Sequence, residues 1–366
     1  MIERPNLFCY ATSELSQDAF LCWLIKWADT EYAKIDPVLH RTGMEFLKSI
    51  GRECEPNPFK GGKEALSVKI EKQYKGKKHN GIIDILAHIF IGNRKYVLVI
   101  EDKTRSTVDG DQLSRYREIV EEDFKCYDNR FCVYLKTREI LPAARHKAES
   151  NKFLVYSRND LLKVLEPSAK ETKNSIFRDY YLHLRRIDRE CKKFRTKCTE
   201  KWINDRLAWE GFLGALFEEM RVRNRPKDWF FVNNGSGGEF IFDLVGHRIE
   251  SLELTVGLSI VKKWNNDKRK RRCFLAFKVG PVSKETGRSS VRNKLYGILM
   301  EQAKESEGWY GKVKKPNRFG NGEWMVFGEI DQKYWFENDA DGRLNMNGTI
   351  ESLDKAKTLF EAIEYR

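Results

Sequence analysis

The 366-residue sequence has no run of about 18 apolar residues, so no membrane-spanning helix is expected. Its opening, MIERPNLFCYATSE, has no apolar core followed by small residues, so no secretory leader is read there and a cytoplasmic location is expected. The absence of low-complexity tracts and of internal repeats sets aside disordered and solenoid architectures. The eight cysteines include no C-x-x-C pair, and Cys22, Cys132 and Cys273 sit inside apolar runs, the usage of reduced, buried thiols. His183, Cys191 and Cys198 form the closest grouping that hints at zinc, and their spacing is too loose for a recognised ligand set.

What is present is an ordinary globular composition, 41% hydrophobic and 33% charged, long enough for one large domain or two ordinary ones. The net charge of +13 is unevenly spread: residues 1–168 hold 28 Lys/Arg against 25 Asp/Glu, and residues 169–366 hold 39 against 29. An excess of this size suits a polyanionic partner, of which nucleic acid is the commonest, although solvated basic faces give the same count.

The first part alternates helices and strands. TSELSQDAFLCWLIKWADTEY is expected to be a helix capped by Thr12 or Ser13, with Ala19, Phe20, Trp23, Leu24 and Trp27 as its apolar stripe. A helix over 37–50 follows, then strands over 65–74, 82–91 (after a Gly81 loop) and 96–103, the last two joined by a Gly92-Asn93 turn. A helix over 109–124, strands over 130–138 and 152–157, and a helix over 158–167 stopped by Pro167 complete a mixed sheet flanked by helices. Residues 169–225 are expected to form a basic helical connector. Residues 226–366, rich in strands and Gly-rich hairpins, read as an α+β domain.

The chemistry concentrates where YVLVI runs into Glu101, Asp102 and Lys103. Alternation along a strand points Glu101 and Lys103 to one face and Asp102 to the other. Asp84 interrupts the apolar strand GIIDILAHIF, where an unpaired carboxylate is costly, and the short turn at 92–93 brings it toward Glu101. Two converging carboxylates suit a hard divalent cation such as Mg²⁺. A lysine on the same face can orient and help deprotonate a water bound there. The rival reading is a solvent-exposed ion pair at a strand end.

Asp84, followed 17 residues later by Glu101-Asp102-Lys103, resembles the PD-(D/E)XK nuclease superfamily, as does the order of elements over about residues 10–160. The residue before Asp84 is Ile rather than Pro, a departure that touches no ligand. The resemblance implies a restriction-endonuclease-like core over 1–168, with Asp84 and Glu101 as metal ligands and Lys103 serving the nucleophilic water. It also implies that Glu14 adds a helix carboxylate to the metal cluster, and that Gln112, with Tyr116 one turn on, assists Lys103 or the phosphate. Asp18 is the rival to Glu14, and a dipole-favoured first-turn acid is the plain alternative for Glu14. Asp102 is expected to face away and pair with a basic group.

The basic clusters KKWNNDKRKRRC and KVKKPNR supply candidate phosphate contacts at Lys268, Arg269, Lys270, Arg271, Lys314 and Lys315; solvated hairpin tips are equally consistent with them. The expectation is therefore a Mg²⁺-dependent nuclease (Mn²⁺ substituting) acting on nucleic acid, chiefly DNA, in restriction, repair or phage defence. Its C-terminal domain would serve recognition, a homodimer or a protein partner. The alternatives are a non-catalytic nucleic-acid-binding or sensor protein on the same core, and a scaffold whose basic surface meets an acidic protein.

Overall fold

The computed structural model describes every residue except 1–4, 12, 62–63, 105–109, 224–227, 234, 236, 251–252, 268–270, 284–286, 307, 317–321 and 364–366. The chain divides into two units, Met1–Glu190 and Cys191–Arg366. The expected connector is thus shared between them. Its first helix, α6 below, belongs mostly to the first unit because Phe177, Tyr180 and Leu184 insert into that unit's core.

The first unit runs α1 (Glu14–Lys26), α2 (Pro37–Ile50), β1 (Leu66–Lys75), β2 (Ile82–Ile91), β3 (Arg94–Lys103), α3 (Gln112–Asp123), β4 (Asn129–Lys136), α4 (Pro142–Ser150), β5 (Leu154–Ser157), α5 (Arg158–Ala169) and α6 (Ser175–Cys191). Its five strands lie in the order β1-β2-β3-β4-β5. The β1–β2 and β2–β3 pairs are antiparallel, and the β3–β4 and β4–β5 pairs are parallel. The β2–β3 turn works because Gly92 takes φ +56, which a side chain would resist.

Both faces of this sheet are covered, which is why β3 is apolar nearly throughout. Leu98 and Ile100 face a core built with α1, α2, α5 and α6. Val97 and Val99 face a second core built with α3 and α4. Local signals fix the helix starts: Asp36 accepts from the N–H groups of Val38 and Leu39 ahead of Pro37, and Ser157 and Asp160 form a reciprocal capping pair at α5.

Three local expectations are corrected. Helix α4 was not foreseen, because PAARHKAES buries only two alanines and has no long apolar period. Helix α5 passes through Pro167 to Ala169; a proline this near the C-terminus disturbs only the last turn. In α1 the buried residues are Gln17, Asp18, Phe20, Leu21, Cys22, Leu24 and Ile25; Ala19 is exposed and Trp23 half-buried, so the stripe sits rotated from the expected one. Ser13 occupies the N-cap, but its hydroxyl pairs with that of Ser16 at 3.0 Å rather than with the backbone.

The second unit contains α7 (Lys193–Thr196), α8 (Arg206–Arg223), β6 (Asp228–Val232), β7 (Glu239–Ile249), β8 (Leu254–Lys263), β9 (Arg272–Gly280), α9 (Arg288–Glu305), β10 (Val313–Lys314), β11 (Met325–Asp331) and α10 (Met346–Glu361). Its six strands form an antiparallel sheet in the order β10-β11-β9-β8-β7-β6. Among the described residues, no helix is long and apolar enough to cross a membrane.

Candidate active site

Strand β3 carries its side-chain alternation into the charged triplet. Glu101 and Lys103 continue the face of Val97 and Val99, beneath α3, and Asp102 continues the face of Leu98 and Ile100, beneath α1. Glu101 is fully buried and Lys103 nearly so, with Lys103 Nζ 2.6 Å from Glu101 Oε1. The exposed strand-end ion pair is therefore not what the chain builds.

Asp84 comes from β2, half-buried, and its carboxyl group is within hydrogen-bond reach of Glu101. Burial pushes Glu101 up to about 8, and the Asp84 charge adds to this against the pull of Lys103. Burial also raises Asp84, with Lys103 and the Glu101 contact opposing. Both shifts have the sign expected of two acids that converge in a buried place. Burial would lower Lys103, but Glu101, Glu14 and Asp84 outweigh it and the ammonium form is favoured.

Glu14, at the start of α1, reaches the end of β3. Its Oε1 accepts from Thr104 N–H at 3.2 Å, and its Oε2 lies 3.9 Å from Lys103 Nζ. It joins the acidic pair through the lysine. Gln112 Nε2 donates to the Tyr116 hydroxyl at 3.0 Å, and that hydroxyl donates to the carbonyl of Ile82, two residues before Asp84. Burial and the Glu101 charge push the Tyr116 phenol up to about 12, so it stays a donor. The Gln112–Tyr116 pair thereby braces the strand that presents Asp84.

Gln17 and Tyr134 escaped the sequence reading, and Asp18, read there as the rival to Glu14, meets Asp102 instead. Gln17 and Asp18 of α1 meet Asp102 on the far face of β3. Gln17 Nε2 donates to Asp102 Oδ1, and Asp18 shares a hydrogen bond with Asp102. Asp102 therefore pairs with an amide and an acid, not with a basic group, because α1 presents no cation at that height. Burial and the Asp84 charge push Asp18 up to about 6, and Asp102 is raised by burial and by Asp18. The signal available was the helical spacing of Gln17 and Asp18 from Glu14, three and four residues on, at the start of α1. Tyr134 lies opposite Glu101 in the parallel register, which no sequence pattern announces. Gln73 takes a left-handed backbone, φ +52, where the β1–β2 register skips across from Asp84.

Among the described residues, no three His, Cys, Asp or Glu side chains converge as a ready-made metal cage. The donor set nonetheless fits a hard divalent ion of the Mg²⁺ kind, which takes one or two carboxylates and keeps waters. Glu101 Oε2 is buried without a hydrogen-bond partner among the described residues, and the closeness of Asp84 to Glu101 raises the Glu101 carboxyl, a repulsion that a cation would relieve.

The basic candidates fall differently. Lys268, Arg269 and Lys270 lie outside the described residues. Arg271 donates to the carbonyls of Asn265 and Asn204 and stacks 4.1 Å over Trp264. Lys314 is exposed, 3.2 Å from Asp331, and Lys315 is exposed. Lys262, in the same run, is buried 5.1 Å over the Trp209 ring, and burial lowers its pKa.

A mixed sheet covered on both faces, carrying an acidic pair and a lysine at the end of its central strand, defines a nuclease-type α/β domain. The chain belongs to the PD-(D/E)XK nuclease superfamily, whose family model matches residues 5–198. Among solved structures, it is similar to the MspJI restriction endonuclease in complex with a 27-mer oligonucleotide, at 14% identity and a TM-score of 0.24. That likeness covers 47% of this chain and 36% of the other. Comparison with curated proteins gives no match.

Proposed function

We propose that the protein is a divalent-metal-dependent nuclease that hydrolyses phosphodiester bonds, with DNA as its substrate. The observation that carries this reading is the buried contact of Lys103 with Glu101, set beside Asp84 at the end of β3. Asp84 and Glu101 would hold Mg²⁺, with Mn²⁺ able to replace it, and Glu14 would add its carboxylate from the Lys103 side. When bound, the ion supplies Lewis-acid stabilisation of the phosphate and a more acidic water. Lys103 Nζ would orient the attacking water and, in its neutral amine form, would take that water's proton as the oxygen–phosphorus bond forms and the phosphorus bond to the leaving oxygen breaks, the leaving oxygen taking a proton from solvent. Gln112, through Tyr116, keeps β2 and therefore Asp84 in place.

In the second unit, Lys268, Arg269, Lys270, Arg271, Lys314 and Lys315 would follow the phosphate backbone, and this unit would serve recognition of substrate, of a protein partner or of a second copy. Action in the cytoplasm, in restriction, repair or phage defence, accords with this reading. The test is incubation of the purified protein with linear DNA, circular DNA and RNA, each with Mg²⁺, Mn²⁺ or EDTA. Cleavage of DNA that requires the metal is expected. Salt-sensitive retention without cleavage under any metal would replace this reading with a non-catalytic binding protein.

A further inference from the structure

A groove of about 580 Å³, open to solvent, runs between α1 and β1, the edge strand of the first unit's sheet. Trp23, Val68 and Ile70 form its apolar floor, and every charged residue lining it is a lysine: Lys26, Lys69 and Lys72. Lys26 is fixed by bonds to Asp29 and to the Val68 carbonyl, and Lys69 by one to Glu71. Lys72 is exposed and has no carboxylate partner among the described residues.

The strand edge beside this groove is closed along half its length. Leu66 N–H donates to Thr30 Oγ1 at 2.8 Å and Val68 N–H to Asp29 at 2.9 Å. Alternation makes Ile70 and Lys72 the next outward-facing positions, and no such cap reaches them among the described residues. Gln73, with φ +52, then breaks the strand's regularity. Two open positions are too few for a peptide to add as a strand, but their N–H groups remain available to an anion.

The groove lies on the α1 side of the sheet, where Lys72 pairs with Ile85, and it approaches the acidic site along α1, which carries Glu14 to Lys103. On α1, Cys22 in the groove wall stands one turn beyond Asp18, which acts electrostatically on Cys22 and is itself acted on by Asp84.

We propose that this groove holds unpaired nucleotides of a single-stranded nucleic-acid segment leading to the acidic site, with a base against Trp23 and Ile70 and a phosphate on Lys72. The inference rests on the nuclease reading for its choice of polymer. A tryptophan can stack only on a base outside a duplex, and one unpaired lysine at the rim of an apolar floor matches a base with its flanking phosphate.

The test is fluorescence anisotropy of the full chain with a labelled single-stranded DNA 12-mer in EDTA, across a salt series. Trp23→Ala should weaken binding about tenfold without altering the salt slope, and Trp23→Phe should restore most of it. Lys72→Ala, at an exposed position, should reduce the slope of log K against log salt by about 0.7. Wild-type affinity and slope in both variants would overturn the proposal, as would wild-type protein that binds only duplex. If the variants lose binding as stated while no metal supports cleavage by the wild type, the groove assignment stands and the nuclease reading falls.

Discussion

At the scale of single residues, the reaction is expected to depend on Lys103 and Asp84 in a way the fold does not. Lys103→Ala removes the ammonium beside Glu101 and should reduce cleavage by about two to four orders of magnitude. Asp84→Ala should do at least as much. Melting temperatures and DNA retention in EDTA should stay close to wild type, and cleavage by Lys103→Ala at the wild-type rate would rule out the assignment. A different residue carries acid stability. Asp29 is buried and accepts from Lys26 Nζ and from the N–H groups of Val68 and Glu31. Burial alone would raise its pKa, but these partners outweigh burial and hold the carboxyl below its ordinary range. With the folded pKa depressed, the unfolded chain takes up the proton first. The stabilisation is complete above the unfolded value of about 3.9 and is lost as the pH falls through the lower folded value. Asp29→Asn should therefore be about 1–3 kcal/mol less stable at neutral pH. In urea titrations it should also lose less stability than wild type as the pH drops below about 4; identical acid sensitivity would exclude this role.

At the scale of elements, the site depends on how closely α2 supports α1. A methyl group on Gly43 would lie 2.6 Å from Ala28 N and 2.8 Å from the Leu24 carbonyl, both backbone atoms at the end of α1. Neither can step aside alone, so Gly43→Ala should push α1 away from α2 and cost about 1–3 kcal/mol. Because α1 carries Glu14, Gln17 and Asp18, cleavage should fall further than the loss of stability explains; a stable, fully active Gly43→Ala would show that α1 tolerates displacement. The strands and long helices of the first unit were legible because their apolar patterns are long. The meeting of Asp84, Glu101 and Lys103 was legible because a charge inside an apolar strand or at its end has few structural uses. Asp102 and its partners were not, since strand alternation says which way a side chain points but not which helix residue waits there. Tyr134 was hidden for a related reason: parallel register between β3 and β4 is set across a helical crossover, and no turn between them reveals it.

At the scale of the whole molecule, charge and chemistry are divided between the units. Residues 1–190 hold 34 Lys/Arg against 29 Asp/Glu, and residues 191–366 hold 33 against 25, so the second unit carries +8 of the +13. The first unit has its own sheet with a core on each face and contains Glu14, Asp84, Glu101, Lys103 and Gln112. A fragment of residues 1–190 should therefore unfold in one cooperative transition and retain metal-dependent cleavage of short oligonucleotides. Its grip on long DNA should be weaker, because fewer cations displace counterions from the polymer, and each lost contact to duplex phosphate removes about 0.9 from the salt slope. Parallel salt titrations of the fragment and the full chain measure that difference directly. Equal slopes would place the polyanion contacts wholly in the first unit and leave the basic surface of the second to a protein partner.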